Sequence, residues 1–343
     1  MTTYAGSGVD ISAGNEAVRL MRSAARSTYG PEVLAGLGAF GGLFEASALR
    51  GMRQPVLVAS TDGVGTKLKV ALAMGRLDTI GVDLVNHCIN DIAVQGADPL
   101  FFLDYLGVGR LRSEVAAEIV GGIAAACAAA GVALVGGETA ELPDLYAPGD
   151  FDLAGFIVGV VARGDVIDGS QVQVGDALLG IPSSGLHTNG YSLARSIFAD
   201  DELRRSAPGL AGSIGDALLV PHRSYLDEIR VLRRALRDAK GDVLAFAHIT
   251  GGGWIDNIPR TLPTGLGVQV EAGSWQVPLI FSLIQERGDI SDAEMVRTFN
   301  LGIGLTCVVR QRLVKAALRA LPEARRVGSV VAAAAGATRV SFD

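Results

Sequence analysis

Apolar and polar positions alternate along the chain with the spacings of helices and strands. Residues 78–95 carry apolar side chains on one face and short polar side chains on the other, which predicts an amphipathic helix of about five turns. The apolar run at residues 113–130 predicts a buried helix that leads into a strand. β-Branched runs bounded by glycine or proline predict the strands. These patterns predict helices at residues 15–27, 191–198, 254–260 and 313–321, a short helix or strand extension at 67–74, and strands at 56–58, 100–106, 132–135, 151–161 and 177–181, with another strand ending near residue 309.

The polar face of the helix predicted at residues 78–95 has the composition of a ligand site. Its members fall at offsets 0, 3, 4, 7 and 8, so they share one side of the helix: Asp83, Asn86, His87, Asn90 and Asp91. A solvated helix face usually carries Lys and Glu, whereas this face has short acids, amides and a histidine. Carboxylate and amide oxygens are the ligands that hard cations prefer. The face therefore predicts an oxygen-rich cation site.

Residues 55–67 combine a strand with a group of chemically active side chains. The apolar positions 56–58 predict a strand, and the residues that follow it are Asp62, Gly63, Gly65, Thr66 and Lys67. Ligands usually bind at the carboxyl ends of strands in open α/β sheets. The glycine spacing does not match the Walker motif, which excludes a P-loop NTPase. A tight turn with a capping Asp explains the same residues about as well as a ligand loop.

Further motifs repeat this combination of glycines with polar side chains. Residues 136–141 place glycines, acids and a threonine after a strand, as the first motif does. Residues 182–190 and 248–253 contain hydroxyls, glycines and histidine before predicted helices, a composition that favours an anion cradle. Asp104 lies within an apolar strand, where a structural hydrogen bond and a ligand role are equally good interpretations.

Length and composition indicate a two-domain α/β protein. The chain has 343 residues, 49% of them hydrophobic, and a polar, glycine-containing linker is predicted at residues 165–175. Its net charge of −6, with no basic run, argues against a general nucleic-acid binder. Three distant cysteines predict reduced structural thiols, and four histidines spread along the chain make a zinc site improbable. The start of the chain lacks the pattern of a secretory signal, so a cytoplasmic location is expected, and no membrane association is expected.

Several motifs, in order along the chain, resemble the phosphoribosylformylglycinamidine cyclo-ligase family. They are T-D-G-V-G-T-K, N-D-I-A-V-Q-G-A-D-P-L-F-F-L-D-Y, G-G-E-T-A-E-L-P, S-S-G-L-H-T-N-G-Y-S-L and H-I-T-G-G-G. The resemblance implies ATP-dependent closure of an imidazole ring in purine biosynthesis, with Mg²⁺ as cofactor and formylglycinamidine ribonucleotide as substrate. It also implies an α/β (α+β) fold of two domains with the active site in a cleft. Residues 1–168 would bind ATP and metal and dimerise through their sheet, and residues 169–343 would form a C-terminal α/β domain.

The resemblance also assigns roles to individual residues. Those expected to hold magnesium are Asp62, Asp91 and Glu138. Those expected near ATP are Gly63, Gly65, Thr66, Lys67, Ser184, Gly251, Gly252 and Gly253. Those expected to be catalytic are His187 and Asn189, although a lone loop histidine is also often a structural hydrogen bonder.

Rival interpretations come from inside and outside this superfamily. Its other members include selenophosphate synthase, thiamine-phosphate kinase and a hydrogenase-maturation protein. This chain lacks a cysteine in a glycine-rich N-terminal segment, and it ends Val340-Ser341-Phe342-Asp343 with no C-terminal cysteine. A non-catalytic nucleotide-binding regulator is the alternative from a different class. The retention of His187 together with all the acids argues against it.

Overall fold

The computed structural model describes residues 11–343, which form two compact units. The first unit consists of the described chain up to Ile92 together with Ala97–Gly164. The second consists of Ala93–Gly96 together with Asp165–Asp343. Each unit contains its own sheet and its own buried core, so each is described separately.

A four-stranded sheet with helices against it forms the first unit. Its helices are α1 (Ile11–Arg26), α2 (Lys67–Met74), α3 (Ile80–Ala93) and α4 (Ser113–Ala130). Its strands are β1 (Val33–Ala35), β2 (Leu43–Phe44), β3 (Pro55–Gly63), β4 (Asp98–Val108), β5 (Ala133–Glu141) and β6 (Phe151–Ala162). The strand order is β3-β6-β4-β5, and β1 pairs with β2 as a separate ribbon. Only β4 and β5 pair in parallel within this sheet.

Side chains alternate across this sheet as the pleat requires. On β4, Phe102 and Leu106 are fully buried, whereas Phe101 and Leu103 are only half-buried on the opposite face. The apolar face predicted for the helix at residues 78–95 is confirmed as core, since five side chains of α3 have no exposed surface: Leu84, Val85, Cys88, Ile89 and Ile92. One face of the sheet therefore packs against α3, and the other remains accessible.

Helices α3 and α4 approach closely at two glycines. A Cβ atom on Gly81 would lie 2.4 Å from the carbonyl oxygen of Ile119, and one on Gly122 would lie 2.7 Å from that of Asp78. The contact therefore depends on the absence of side chains. By length and composition α4 could also cross a membrane, but half of it is buried in this unit, as expected of a core helix.

The second unit is built around a six-stranded sheet. Its helices are α5 (Tyr191–Ile197), α6 (Ile214–Leu218), α7 (Leu226–Asp238), α8 (Gly253–Asn257), α9 (Leu279–Gly288), α10 (Asp292–Thr298) and α11 (Val314–Ala320). Its strands are β7 (Ala177–Pro182), β8 (Ala245–His248), β9 (Leu266–Val270), β10 (Ile303–Val309), β11 (Arg325–Ala332) and β12 (Val340–Phe342). The order is β12-β9-β11-β7-β10-β8, and only the β12–β9 pair is parallel.

Aromatic stacking and apolar strands hold the core of the second unit. Trp254 is fully buried and stacks on Trp275 with ring centroids 5.1 Å apart. Trp254 also donates from its indole nitrogen to the carbonyl oxygen of Asn300 at 3.0 Å. Every residue of β7 from Ala177 to Ile181 is buried, which explains its continuous apolar sequence. Both sheets are mainly antiparallel, so the mixed α/β fold is of the α+β kind.

The two neighbouring glycines of α4 provide a matched test of the close helix contact. Gly122→Ala places a methyl group against a backbone oxygen, so we expect a loss of about 1–3 kcal/mol in the free energy of unfolding. Gly121→Ala meets nothing within 4 Å and should gain up to about 1 kcal/mol from helix propensity. Urea denaturation of both variants measures the difference. Equal gains from both substitutions would contradict the proposed packing.

Candidate functional site

The carboxyl end of β3 holds Asp62 against α3. This strand is longer than predicted because it pairs with β6 along its whole length, through Asp62 and Gly63. The backbone N–H of Gly63 donates to Asp62 Oδ1 at 2.7 Å. The other oxygen, Oδ2, lies 2.9 Å from His87 Nε2 on α3. Asp62 is thereby fixed in orientation while 40% of its side chain remains exposed.

Asp91 converges on the same histidine from the next turn of α3. Its Oδ2 atom lies 3.9 Å from His87 Nε2 and accepts a hydrogen bond from Ser60 Oγ at 3.3 Å. The Asp91 side chain is 26% exposed, whereas that of His87 is only 4% exposed. The structure therefore brings Asp62 and Asp91 together. It also adds His87, which the sequence placed on the polar face of the helix without a separate role.

The surrounding acids determine the protonation of His87. Burial lowers the pKa of this imidazole, but the hydrogen bond to Asp62 and the charges of Asp91, Asp62 and Asp83 outweigh it. The net result is a pKa above the usual 6.5. A protonated His87 supplies positive charge between two carboxylates that would otherwise repel each other.

A buried ion pair between Lys67 and Asp83 links α2 to α3 next to this cluster. Lys67 Nζ lies 2.8 Å from Asp83 Oδ1, and neither side chain has any exposed surface. Burial lowers the pKa of Lys67, against the opposing attraction of Asp83. Lys67 was expected beside the ATP phosphates, but in this structure its ammonium group contacts Asp83 and joins α2 to α3. Asp83, Asn90 and His87 are all buried, so much of the predicted polar face of α3 is internal.

The donor atoms at the end of β3 fit a hard cation. Asp62 and Asp91 present carboxylate oxygens from two different elements, and both side chains are partly exposed. Oxygen ligands from one or two carboxylates, with water completing the shell, are the usual protein contribution to a bound Mg²⁺ ion. These two residues are therefore suited to hold magnesium.

Glu138 does not join these two acids within one chain. The register of the sheet places Gly63, Ala154, Tyr105 and Glu138 in one row across β3, β6, β4 and β5. Three strand spacings separate the ends of that row, a distance of about 14 Å. Glu138 is exposed on the edge strand opposite to β3. Within one chain Glu138 therefore lies apart from Asp62 and Asp91, and its expected role in holding magnesium stays a prediction.

The glycines and threonine after Asp62 form an exposed turn. Gly65 has a left-handed backbone with φ of 67°, and Thr66 follows it as the residue before α2. Both residues are exposed. This turn can reach an anion, whereas the buried Lys67 beside it does not.

In the second unit, His187 lies in the loop between β7 and α5. Its side chain has no exposed surface, and its backbone is left-handed with φ of 63°, a strained conformation for a residue with a side chain. The backbone N–H of Ser184 donates to His187 Nε2 at 3.3 Å. Because Nε2 accepts, the proton of the neutral ring lies on Nδ1. Such strained positions are typical of functional sites.

Polar contacts from a distant strand connection hold this loop in place. Asn300 donates to the carbonyl oxygen of Gly185 at 2.8 Å and accepts from Ser183 Oγ at 3.0 Å. A Cβ atom on Gly304 would lie 2.4 Å from His187 Cε1, so glycine is needed beside the ring. Asn300 and Gly304 were not predicted as site residues, because their partners lie more than 100 residues away in the sequence.

Three of the four histidines of the chain are neighbours in this unit. The rings of His187 and His222 stack with centroids 4.0 Å apart. His222 Nε2 lies 3.0 Å from His248 Nε2, a distance at which one of the two nitrogens donates to the other. The nitrogens of all three lie close enough for one metal ion, which corrects the expectation that the histidines are dispersed. Parallel stacking of His187 on His222, however, aims their in-plane lone pairs side by side rather than at one point.

The predicted glycine loop lies next to the predicted active-site loop. A Cβ atom on Gly251 would lie 3.3 Å from Asn189 Oδ1, so these two segments touch. The Asn257 side chain donates to the carbonyl oxygens of Thr250, Gly251 and Gly253 and so holds the glycine loop. Asn257 is fully internal and was not singled out in the sequence.

Two features of these loops differ from an anion cradle at a helix start. Helices α5 and α8 have only seven and five residues, so little helix dipole is available at their N-termini. The hydroxyl of Ser184, expected near ATP, donates to the carbonyl oxygen of Pro221 at 2.6 Å.

Gly252 and Gly253 both have positive φ values, which explains the requirement for glycine there.

Two family models together match most of the chain. The model described as AIR synthase related protein, N-terminal domain, matches residues 45–161. The model described as AIR synthase related protein, C-terminal domain, matches residues 173–341.

Curated proteins match over nearly the full length. The chain is 55% identical to the phosphoribosylformylglycinamidine cyclo-ligase of Desulfitobacterium hafniense over 307 residues, which cover 90% of this chain and 89% of that protein. It is 53% identical to the protein of the same name from Anaeromyxobacter sp. over 323 residues, 93% of this chain and 92% of the relative. The Acetivibrio thermocellus protein of that name is 48% identical over 337 residues, 96% and 97% of the two chains.

Solved structures share the fold at low sequence identity. E. coli HypE superposes with a TM-score of 0.68 at 19% identity, covering 94% of this chain and 92% of HypE. A hydrogenase maturation protein HypE in complex with ATP gives 0.68 at 17% identity, covering 94% and 90%. Thiamine-monophosphate kinase from Stenotrophomonas maltophilia gives 0.64 at 17% identity, covering 96% of each chain. At these identities the comparison establishes the fold alone.

Proposed function

The chain belongs to the phosphoribosylformylglycinamidine cyclo-ligase family, and from this premise we propose that it closes the imidazole ring of aminoimidazole ribonucleotide. The substrates are formylglycinamidine ribonucleotide and ATP, and the other products are ADP and phosphate. The observation that carries the proposal is the convergence of Asp62 and Asp91 at the end of β3. The chain that contains these two acids is 55% identical to a protein named phosphoribosylformylglycinamidine cyclo-ligase.

The reaction class defines what the protein must supply. The formyl amide oxygen of the substrate attacks the γ-phosphoryl group of ATP and gives an imidoyl phosphate with release of ADP. The amidine nitrogen then displaces phosphate as the ring closes. Phosphoryl transfer requires positioning of the two substrates and neutralisation of charge on the phosphoryl oxygens.

Asp62 and Asp91 would hold Mg²⁺ at the end of β3. When bound there, the ion would neutralise charge on the phosphate oxygens of ATP. The carboxylates are fixed for this role by Gly63 and Ser60, which donate to them. The exposed Gly65–Thr66 turn offers backbone N–H and hydroxyl donors to the phosphates. Lys67 acts indirectly, because its ammonium group neutralises Asp83.

His187 and Asn189 of the second unit are the residues to which we assign catalytic roles. A histidine titrates near neutrality and is suited to proton transfer or to electrostatic stabilisation. The strained backbone of His187 and its contact with two further imidazoles through His222 support a role beyond packing. The structural interpretation, in which a buried His187 only holds its loop, predicts a different response to mutation.

The accessible face of the first sheet supports a homodimer. Leu57 on β3 is 63% exposed and Phe156 on β6 is 44% exposed. Phe101, Leu103 and Val158 are half-buried on the paired strands and extend this apolar face. Contiguous apolar surface of this kind is typical of protein–protein interfaces. A two-fold partner would cover the same face on both chains.

A cytoplasmic location agrees with the chemistry of the proposed substrates, which are soluble nucleotides. The cysteines of the described residues 11–343, namely Cys88, Cys127 and Cys307, are all free and buried. Burial raises the pKa of each thiol, that of Cys307 to about 12. Unreactive, reduced cysteines are typical of proteins from reducing compartments.

The proposed activity is tested by product analysis. Purified protein is mixed with ATP, Mg²⁺ and formylglycinamidine ribonucleotide under single-turnover conditions. We expect aminoimidazole ribonucleotide and ADP in equal amounts. Formation of ADP without the ring-closed product would refute the assignment, and binding of ATP with no turnover would favour a regulatory nucleotide-binding protein.

Replacement of either carboxylate at the end of β3 should change the response to magnesium. Asp91→Asn and Asp62→Asn keep the shape of the side chain and remove one negative charge, so the Mg²⁺ concentration for half-maximal activity should rise. Glu118→Gln, which changes an exposed acid of α4, serves as the matched control. Wild-type midpoints and rates in both Asn variants would exclude these residues as metal ligands.

Substitution of His187 separates catalysis from folding. His187→Ala should lower turnover by roughly 10²-fold or more, the usual scale for proton-transfer or electrostatic groups. Melting temperature should change little if the role is catalytic. Parallel losses of melting temperature and of activity would instead support the structural interpretation.

Sedimentation at micromolar concentration tests the homodimer. We expect about twice the chain mass of 35.4 kDa for the wild type. Phe156→Asp places a charge on the apolar sheet face and should favour the monomer, whereas Val231→Asp on α7 should not. A fully active wild-type monomer would refute the dimer.

A further inference from the structure

The first unit contains a cavity of about 420 Å³ beside its sheet. It is bounded by α1, by the Gly38 turn that follows β1, and by the inner parts of α4, β4 and β5. Its polar lining includes Asn15, Asp104, Glu138 and Thr139. The cavity is large enough for part of a small polar ligand.

Asp104 is an unusual residue to find at the bottom of this cavity. The alternation of β4 turns it inward between Phe102 and Leu106, and only 7% of its surface is exposed. Within residues 11–343, no other residue makes an ion pair or hydrogen bond with its carboxyl group, which accepts a hydrogen bond from its own backbone N–H. A buried carboxyl group without a partner is costly unless something else satisfies it.

The neighbouring strand is shaped to leave this carboxyl group accessible. Gly137 of β5 pairs with Asp104, and a Cβ atom on Gly137 would lie only 2.3 Å from Asp104 Oδ1. Any larger residue would therefore displace the carboxyl group or cover it. Glycine at this position and the acid opposite it form one feature of the cavity wall.

The charge of the cavity favours a cation. Asp104 and Glu138 are its two acids, and no Lys, Arg or His is among its lining residues within 11–343. The thiol of Cys127 on α4 stays neutral, because burial and the charge of Asp104 raise its pKa. Arg22 of α1 lies outside the lining, near the turn at Gly38. Among the functional groups of the two organic substrates, the amidine of formylglycinamidine ribonucleotide is the one that is cationic near neutral pH, and Mg²⁺ is assigned to Asp62 and Asp91 at the end of β3.

We propose that Asp104 binds the amidinium group of the substrate through two hydrogen bonds, with Glu138 at the mouth of the same cavity. An amidinium is planar and carries two N–H donors in parallel, which matches a carboxylate as the guanidinium of arginine does. This inference rests on the proposed function and adds to it the residue that recognises the amidine. It also gives Glu138 a role that does not require this residue to lie near Asp62.

Asp104 is also suited to receive a proton from the bound amidinium. Ring closure requires a neutral nitrogen with a free electron pair. An N–H bond of the amidinium breaks, an O–H bond forms on Asp104, and the two charges cancel. Burial raises the pKa of Asp104 to about 7, so the carboxyl group can exchange protons at neutral pH.

The test compares two nucleotides that differ only at the group to be recognised. Calorimetry measures the binding of two nucleotides to the protein in the absence of ATP. One is formylglycinamidine ribonucleotide, and the other is its amide analogue, in which a carbonyl oxygen replaces the imino nitrogen of the amidine. The wild type should prefer the amidine. Asp104→Asn should reduce that preference by roughly 10- to 100-fold, as expected for loss of a charge-assisted pair, while Glu118→Gln leaves it unchanged.

The pH dependence of activity gives a second, independent readout. For the wild type, kcat/KM should fall as pH drops below about 7, because protonated Asp104 neither pairs with the amidinium nor accepts its proton. Asp104→Asn should show a low kcat/KM without this fall. An unchanged acid limb in the variant would overturn the assignment of Asp104.

The outcomes separate this inference from the proposed function. If the wild type binds and cyclises the amidine but Asp104→Asn retains its full preference, the role of Asp104 is wrong and the function stands. If the wild type neither binds nor converts the amidine, the proposed function itself fails. If Asp104→Asn does not fold, the carboxyl ¹³C signal of Asp104 in the wild type decides: a shift with the amidine and not with the amide supports the inference, and equal shifts contradict it.

Discussion

The buried ion pair between Lys67 and Asp83 is the constraint on which the first unit depends. Neither side chain touches solvent, and their contact joins α2 to α3 at a distance of 2.8 Å. The desolvation cost of such a pair is high, so each charge is tolerable only while the other remains. Helix α3, which this pair links to α2, also carries His87 and Asp91 beside Asp62. The Lys67–Asp83 pair therefore lies beside the proposed magnesium site but is itself buried away from any ligand.

Charge balance explains the remaining acids around α3. Asp62 and Asp91 lie close enough to repel each other, and His87 between them has a pKa above its usual range because of those acids. A divalent cation would supply the same compensation from the solvent side. The fully buried carboxylate of Asp83 pairs with the ammonium group of Lys67. The partly exposed carboxylates of Asp62 and Asp91 can instead be compensated by protonated His87 or by a metal ion. This division of partners is a physical reason for finding so many polar residues on one helix.

Local patterns were sufficient to predict most elements of the first unit, whereas several elements of the second unit, such as α7, α9, β9 and β11, were not predicted. The helix predicted at residues 113–130 is confirmed as Ser113–Ala130, because its apolar run ends at Gly131, which has a left-handed backbone. Spacing placed Asp62 at a strand end and Asp91 on a polar helix face, and the family resemblance implied that the two act together; the structure brings them together at His87. The lengths of β3 and β5 were underestimated, since glycines and acids remain in a strand when a neighbouring strand pairs with them.

The features that the sequence did not predict depend on contacts between distant residues. Nothing near Lys67 indicates that it pairs with Asp83, and nothing near His222 indicates two neighbouring histidines. The position of Glu138 required the strand order, which local spacing does not contain. Asp104 was left with two interpretations, and only the cavity and Gly137 beside it favour a ligand role.

The most direct test of the central constraint compares two lysines of α2. Lys67→Met leaves Asp83 buried without its partner, so urea unfolding should report a loss of about 3–5 kcal/mol, and adding Asp83→Leu should recover most of it. Lys69→Met removes the partner of Asp150 from an exposed pair of similar distance, 2.6 Å, and should cost less than about 1 kcal/mol. Equal, small losses from both lysine substitutions would contradict the account.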